Sequence, residues 1–340
     1  MRVFAPGRVN LIGEHTDYSG GLVLPVAIQL GVTLTGERGG DSIRLRSAAF
    51  GDEAELTLSG EPIGALPAWG RYVAAVVQLV EPDVGLDATI ESTVPIGAGL
   101  SSSAALTVAV ATALSLRPAL ALAHLCREAE HRAVGVPVGL MDPAASLLGR
   151  RGHALLLDCG TEEYRPVPLP PELAIVVLDS GTRRSLEHSG YAQRRVELER
   201  GLASFPGRRP LELTLEEVEA AGLADVARRR VRHVVSENDR VREFVAALEA
   251  GDRDELGRLL RASHASLRDD FEVSTPALDA LAERACEEGA VGARMMGGGF
   301  GGAVVALADA DRAAEVAAAA EASYVCEAVD GARAWQDQHS

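Results

Sequence analysis

The chain has 340 residues, 47% hydrophobic and 24% charged, with a formal net charge of −16. That composition excludes disordered and fibrous classes and leaves room for two cores of ordinary size. The acidic balance argues against nucleic acid or an anionic membrane surface as partner, since both are polyanions. No lysine occurs, so all 33 basic residues are arginine; Walker-type phosphate loops, protein-kinase sites and Schiff-base chemistry, which need a lysine amine, are therefore excluded.

In chain order, residues 2–5 read as a short strand. The next segment, Gly7-Arg8-Val9-Asn10-Leu11-Ile12-Gly13-Glu14-His15-Thr16-Asp17-Tyr18, places Arg8, Glu14, His15 and Asp17 within ten residues. A turn at Ser19-Gly20-Gly21 then leads into an apolar run at 22–28, which reads as buried. Charges caught between apolar strands are costly unless paired or bound to something; a solvated loop with a turn at Asp17 is the other reading. Alternation at 43–47 and 54–58 predicts hairpin strands. A helix follows over 69–80, in which Trp69 and Tyr72 fit a core better than an adenine contact.

Rough alternation over 86–94 predicts a half-buried strand, and 103–116, rich in Ala, Leu and Val, predicts a helix. Between them, Gly97 and Gly99 supply permissive backbone, and Ser101, Ser102 and Ser103 sit at the positive end of the helix, a corner suited to phosphate. A serine-capped helix entered through a glycine turn explains the same residues. A dinucleotide loop fits poorly, because Ser102 stands at the third glycine position.

The helix predicted over 120–133 carries Glu128 and Arg132 at i,i+4 spacing, a solvated face. Asp142-Pro143 reads as an N-cap followed by Pro at the first helical position. Strands follow at 154–158 and 173–179, then helices at 191–203, 215–249, 253–268 and 276–288. His264 and Arg268 share a helix face and are assigned a structural role. Five glycines in 297–302 ahead of a buried strand demand tight backbone geometry or close approach of another group. A helix over 311–322 and a strand over 324–329 end the pattern. Cys126, Cys159, Cys286 and Cys326 are widely spaced with no Cys-x-x-Cys pair, which indicates neither a zinc site nor a disulfide framework. With no signal peptide and no apolar stretch near the ~20 residues of a membrane span, a cytoplasmic setting is expected.

Three of these segments carry a family likeness. Pro95-Ile96-Gly97-Ala98-Gly99-Leu100-Ser101-Ser102-Ser103-Ala104 resembles the ATP phosphate loop of the galactokinase branch of the GHMP small-molecule kinases. The segment from Gly7 to Tyr18 resembles that branch's sugar signature, and Gly297 to Gly302 resembles the third GHMP motif. The likeness spans residues 3–334. It implies an α+β, two-domain GHMP kinase fold with the active site in the interdomain cleft, the domains being 1–165 and 166–340.

The resemblance further implies ATP-dependent phosphorylation of α-D-galactose at the C1 hydroxyl by a monomer, the entry step of galactose metabolism. Carried over by motif, Arg8 and Asp142 are catalytic: Arg8 stabilises the moving phosphoryl group, and Asp142 orients the sugar hydroxyl and accepts its proton. Direct attack without base catalysis and late proton transfer both stay open. Glu14, His15, Thr16, Asp17, Gly139 and Tyr191 are implied to bind sugar, Tyr191 within Ser189-Gly190-Tyr191-Ala192-Gln193-Arg194-Arg195. Gly97, Ala98, Gly99, Leu100, Ser101, Ser102 and Ser103 are implied to bind ATP, with Ser103 and Glu130 on Mg²⁺. Pro143 in place of the usual glutamine, and Ala303 in place of a common cysteine, depart from the pattern. Kinases for N-acetylgalactosamine, arabinose or galacturonate, and a non-catalytic sugar sensor of the same fold, are the alternatives.

Overall fold

The computed structural model describes residues 1–95, 97–135, 138–182 and 190–335. Of the motif residues, Ile96, Val136, Pro137 and Ser189 lie outside them. The chain opens with β1 (Arg2–Asn10), β2 (Leu22–Val23), β3 (Pro25–Arg38), β4 (Ser42–Ser47), β5 (Glu53–Thr57), α1 (Ala68–Val80), β6 (Leu86–Ser92), α2 (Ser102–Leu114), α3 (Ala119–Val134), α4 (Met141–Leu148), β7 (His153–Asp158) and β8 (Tyr164–Pro168). It continues through β9 (Leu173–Asp179), α5 (Tyr191–Leu202), α6 (Leu215–Ala220), α7 (Asp225–Ala250), α8 (Arg253–Asp269), α9 (Pro276–Glu287), β10 (Gly292–Met296), β11 (Ala303–Asp309), α10 (Ala313–Ala317), β12 (Ser323–Cys326) and β13 (Arg333–Trp335).

Three sheets organise these elements. The largest runs β13-β1-β3-β6-β4-β5, the second β10-β11-β9-β12, and a small one β2-β7-β8. Residues of α1, α2 and α3 share one core with the large sheet, Trp69, Val73 and Val110 among them. Helix α2 is buried nearly all round, from Ala104 to Ala111, as expected of an Ala/Val helix with no polar face. A second core joins the two halves of the chain, combining Val9, Leu11 and Val26 with Val177, Phe244, Met296 and Val305. A third fills the space between the second sheet and helices of the second half, with Val231, Leu267 and Leu281 at its centre. No helix among the described residues is long and apolar enough to cross a membrane.

Several elements differ from the pattern read off the sequence. Strand β1 continues to Asn10, well past the expected end at Ala5, because Arg8 and Asn10 are buried on the strand instead of solvated. Its pairing with β3 shifts register between Pro6 and Arg8, a bulge of the kind that re-aims side chains beside active sites. Gly7 sits in that bulge, where a Cβ would stand 2.6 Å from the Leu100 carbonyl oxygen. The helix expected over 215–249 divides into α6 and α7, since Gly222 adopts φ +64° between them. The last helix shortens to α10. Strand β10 lacked a period-2 signal because all five of its residues are buried.

Asp142 is not an N-cap. Leu140 precedes the helix, and Asp142 and Pro143 are its second and third residues. Proline is tolerated there because the first four N–H groups of a helix have no intrahelical partner to lose.

Candidate active site

The segment from Leu11 to Gly21 folds into a loop between β1 and β2, and its shape is imposed from outside. Glu237 of α7 accepts the Gly13 N–H at 3.0 Å and the Ser263 hydroxyl at 2.6 Å. Asn238 accepts the Leu22 N–H at 2.7 Å, and His233 Nε2 lies 3.1 Å from the Glu14 carbonyl. Burial pulls the His233 imidazole down to about 4, so it is neutral at pH 7 and its single N–H belongs on Nε2, facing that carbonyl. Burial opposes the charge on Glu237, but Arg240 and Arg294 outweigh it and hold the carboxyl down to about 2. From β10, the fully buried Arg294 donates to the carbonyls of Leu11 and Asn10, each at 2.7 Å, and approaches Glu14 Oε1 at 3.3 Å.

Glu14 Oε1 also accepts the Gly297 N–H at 2.8 Å, which ties the third glycine motif to this loop. His15 takes a left-handed backbone, φ +64°, and sets its Nδ1 2.9 Å from the Tyr18 hydroxyl. Its ring lies 4.4 Å from Phe271 and 5.7 Å from Tyr191, centroid to centroid, so a cluster of rings walls one side. Thr16 points elsewhere. Its hydroxyl lies 2.8 Å from the Gly13 carbonyl and 2.7 Å from that of Leu22, closing the loop on itself.

Asp17 is half-buried, and desolvation, followed by the charges of Asp142 and Glu14, pushes its carboxyl up to about 7. The residue facing it is Gly139, where a Cβ would stand 1.5 Å from Asp17 Oδ2. Only glycine leaves room for the carboxylate.

Arg8 and Asp142, far apart in sequence, form a two-pronged ion pair: Nε to Oδ1 at 2.7 Å and Nη2 to Oδ2 at 2.9 Å. The third prong of Arg8, Nη1, reaches the Gly99 carbonyl at 2.7 Å, and its backbone N–H donates to Leu100. Such fork geometry fixes both partners. The glycine loop is therefore pinned to β1 by side chain and main chain together. Gly97 and Gly99 adopt φ +83° and +74°, and Ser102 and Ser103 open α2. The side chains of Ala98 and Leu100 are buried in the core, so these two residues offer only backbone to a ligand. The Ser101 hydroxyl donates to Asp142 Oδ2.

Ser103 Oγ donates to Glu130 Oε2 at 2.8 Å. The other oxygen, Glu130 Oε1, is buried without a hydrogen-bond partner, and burial, with Asp142 second, pushes this carboxyl up to about 8. A buried carboxylate oxygen with nothing to bind costs free energy unless a cation or proton satisfies it. Among the described residues no group of three or more His, Cys, Asp or Glu is arranged to hold a metal by itself. One carboxylate and one hydroxyl nevertheless suit Mg²⁺, which usually completes its shell with waters and substrate phosphates.

Residues of the candidate set thus converge on one place from β1, the following loop, α2, α3 and α4. Trp69 does not join them; its indole is buried in the first core and donates to Asp52 at 2.7 Å. His264 is structural, accepting the Met295 N–H at 3.0 Å with Nε2 3.1 Å from Asp279, whereas Arg268 pairs with neighbouring Asp269.

Three family models match in order: the galactokinase galactose-binding signature over residues 1–38, the GHMP kinase N-terminal domain over 71–150, and the GHMP kinase C-terminal domain over 244–326. A Bos taurus galactokinase is 44% identical over 98% of this chain and 92% of its own. The chain belongs to the galactokinase family. It is an enzyme with galactokinase function, and ATP is the co-substrate that the kinase family implies. The Homo sapiens galactokinase is 43% identical over the same shares, 98% and 92%. A solved Lactococcus lactis galactokinase complexed with galactose superimposes with a TM-score of 0.91 at 33% identity, covering 98% of this chain and 94% of that one. The Methanococcus jannaschii mevalonate kinase, at 19% identity, has a TM-score of 0.71 over 97% of this chain and 98% of its own, and so shares the fold. The expected α+β GHMP kinase fold is the one found.

Within this galactokinase fold, reading the sequence missed Glu237, Asn238 and Arg294 as supports of the sugar-signature loop. Arg294 carried a signal, a charged side chain set among Ala293, Met295 and Met296 that must find a partner. Glu237 and Asn238 stand in the polar run from Ser236 to Arg240 and read as a solvated helix face.

Proposed function

We propose that the chain transfers the γ-phosphoryl group of ATP to the anomeric C1 hydroxyl of α-D-galactose, giving galactose 1-phosphate and ADP. The observation that carries this reading is the Arg8–Asp142 ion pair, set between the loop bearing Glu14 and Asp17 and the glycine loop ahead of α2. A sugar hydroxyl next to Asp142 and a triphosphate along the glycine loop would meet at Arg8. Phosphoryl transfer asks chiefly for positioning and charge stabilisation, because its transition state is loose.

In this reading Glu14, His15, Asp17 and Tyr191 bind the sugar. Thr16 and Gly139 serve the same pocket indirectly, by closing the loop and by admitting Asp17. Backbone N–H groups from Gly97 to Ser103 hold the phosphates at the start of α2. Asp142 orients the C1 hydroxyl and takes its proton, and Arg8 meets the charge on the transferred group. Ser103 and Glu130 would hold Mg²⁺, which when bound neutralises phosphate charge. We also place the domain division at 1–165 and 166–340, and read the protein as a cytoplasmic monomer.

The test is ADP release with Mg-ATP across galactose, 2-deoxygalactose, N-acetylgalactosamine, arabinose, galacturonate, glucose and mevalonate. Highest kcat/KM on galactose is expected. A better substrate among the others would overturn the sugar assignment, and binding of ATP and galactose without turnover would make the protein a sensor.

A further inference from the structure

Ser101 departs from what its position ahead of a helix calls for. An N-cap serine normally has extended backbone angles and turns its hydroxyl onto the second or third N–H of the helix. Ser101 instead sits at φ +60°, ψ +49° and makes no cap bond to α2. The left-handed region suits glycine and strains serine, and in this same loop Gly97 and Gly99 occupy it freely. A hydroxyl is thus carried where the backbone alone would take glycine. That hydroxyl donates to Asp142 Oδ2, the oxygen that also accepts Arg8 Nη2 at 2.9 Å.

We propose that Ser101 is a positioning residue for Asp142: its hydroxyl fixes the direction in which the carboxylate faces the sugar, while the unused N–H groups of α2 stay open to phosphate. Arg8 holds the carboxylate from one strand and Ser101 from the glycine loop, so the group is oriented from both sides of the site. A carboxylate free to turn about its own axis would spend less time aligned with the attacking hydroxyl, and small misplacements of this kind are costly to a reaction that depends on alignment. The role is separate from phosphate binding and rests on the assignment of Asp142 above.

The experiment is a double-mutant cycle of Ser101→Gly with Asp142→Asn, followed with γ-labelled ATP so that slow turnover is measurable. Glycine takes the left-handed backbone without strain, so Ser101→Gly is expected to fold with an unchanged or higher Tm. In the native background kcat should fall roughly tenfold, with KM for galactose and ATP within about twofold of native, the pattern of lost alignment. In the Asp142→Asn background the same substitution should cost less than about twofold, because the group it orients is already lost. Ser101→Ala, which keeps the strain but lacks the hydroxyl, should show the same kcat with a lower Tm.

A rise in KM for ATP with kcat kept would overturn the proposal and leave Ser101 as a phosphate-loop residue only. Equal loss in both backgrounds would also overturn it. The two readings fail separately: near-native turnover of Asp142→Asn alone removes the role of Asp142, whereas the cycle addresses Ser101 once that role stands.

Discussion

Gly139→Ala is the sharpest single perturbation of the proposed sugar pocket. The added Cβ would stand 1.5 Å from Asp17 Oδ2, and ordinary van der Waals contact begins near 3.4 Å, so one of the two must yield by about 1.9 Å. The carboxylate is the part free to turn, and turning takes it out of its half-buried place in the loop. A displacement of that size breaks any hydrogen bond that Asp17 makes to a sugar hydroxyl. Hydrogen bonds to a charged group are worth about 1.5–3 kcal/mol, or roughly 10–150-fold in affinity. KM for galactose should therefore rise roughly 10- to 100-fold, with KM for ATP changed far less.

The assay is steady-state kinetics on both substrates, beside Gly64→Ala as a control, since nothing lies within 4 Å of a Cβ at that position. In an Asp17→Ala background the obstructed carboxylate is gone, and Gly139→Ala should then add little further loss. A folded Gly139→Ala enzyme with native KM for galactose would refute the reasoning, as would full additivity of the two substitutions.

Asp142→Asn should fold normally and lose roughly 10²–10⁴-fold in kcat, the range of a positioned acid-base group; circular dichroism and turnover together check this. Glu14→Ala should raise KM for galactose far more than KM for ATP, and equal effects would remove Glu14 from the sugar site. The carboxyls of Asp17 and Glu130 are raised to about 7 and about 8 in the fold. Both keep their protons to higher pH in the fold than in the unfolded chain, an effect that His233, pulled down to about 4, opposes below about pH 6.5. Between about pH 6.5 and pH 8 ligand-free stability therefore falls as pH rises. Glu130→Gln should flatten part of this slope and raise Tm at pH 8, while weakening the stabilisation that Mg²⁺ with ATP gives the native protein. A steeper slope, or undiminished stabilisation by Mg²⁺ with ATP, would count against the assignment of Glu130.

The parts of this candidate site were legible wherever they are written in consecutive residues. The sugar signature from Gly7 to Tyr18, the glycine-serine corner from Gly97 to Ser103 and the glycine run at 297–302 each state a need of the local backbone or of a ligand, and a spacing of a few residues is enough to show it. Trp69 and His264 were read as structural, and they are buried among core partners. Residue types alone excluded lysine-based phosphate loops and argued against polyanionic partners.

Tertiary structure decided which of these parts meet. Arg8 grips Asp142 across 134 positions of sequence, and Gly139 owes its lack of a side chain to Asp17. The sugar-signature loop takes its shape from Glu237, Asn238 and Arg294, more than 200 residues away. Strand β1 was cut short at Ala5 in the sequence reading because Arg8 and Asn10 look solvated until their partners are in place. Asp142 lies inside its helix, and Ser101 turns away from the helix it precedes, for the same reason. Local propensity sets what a segment can adopt, whereas burial and long-range hydrogen bonds, which exist only once distant elements have packed, determine which polar side chain is satisfied and where it points.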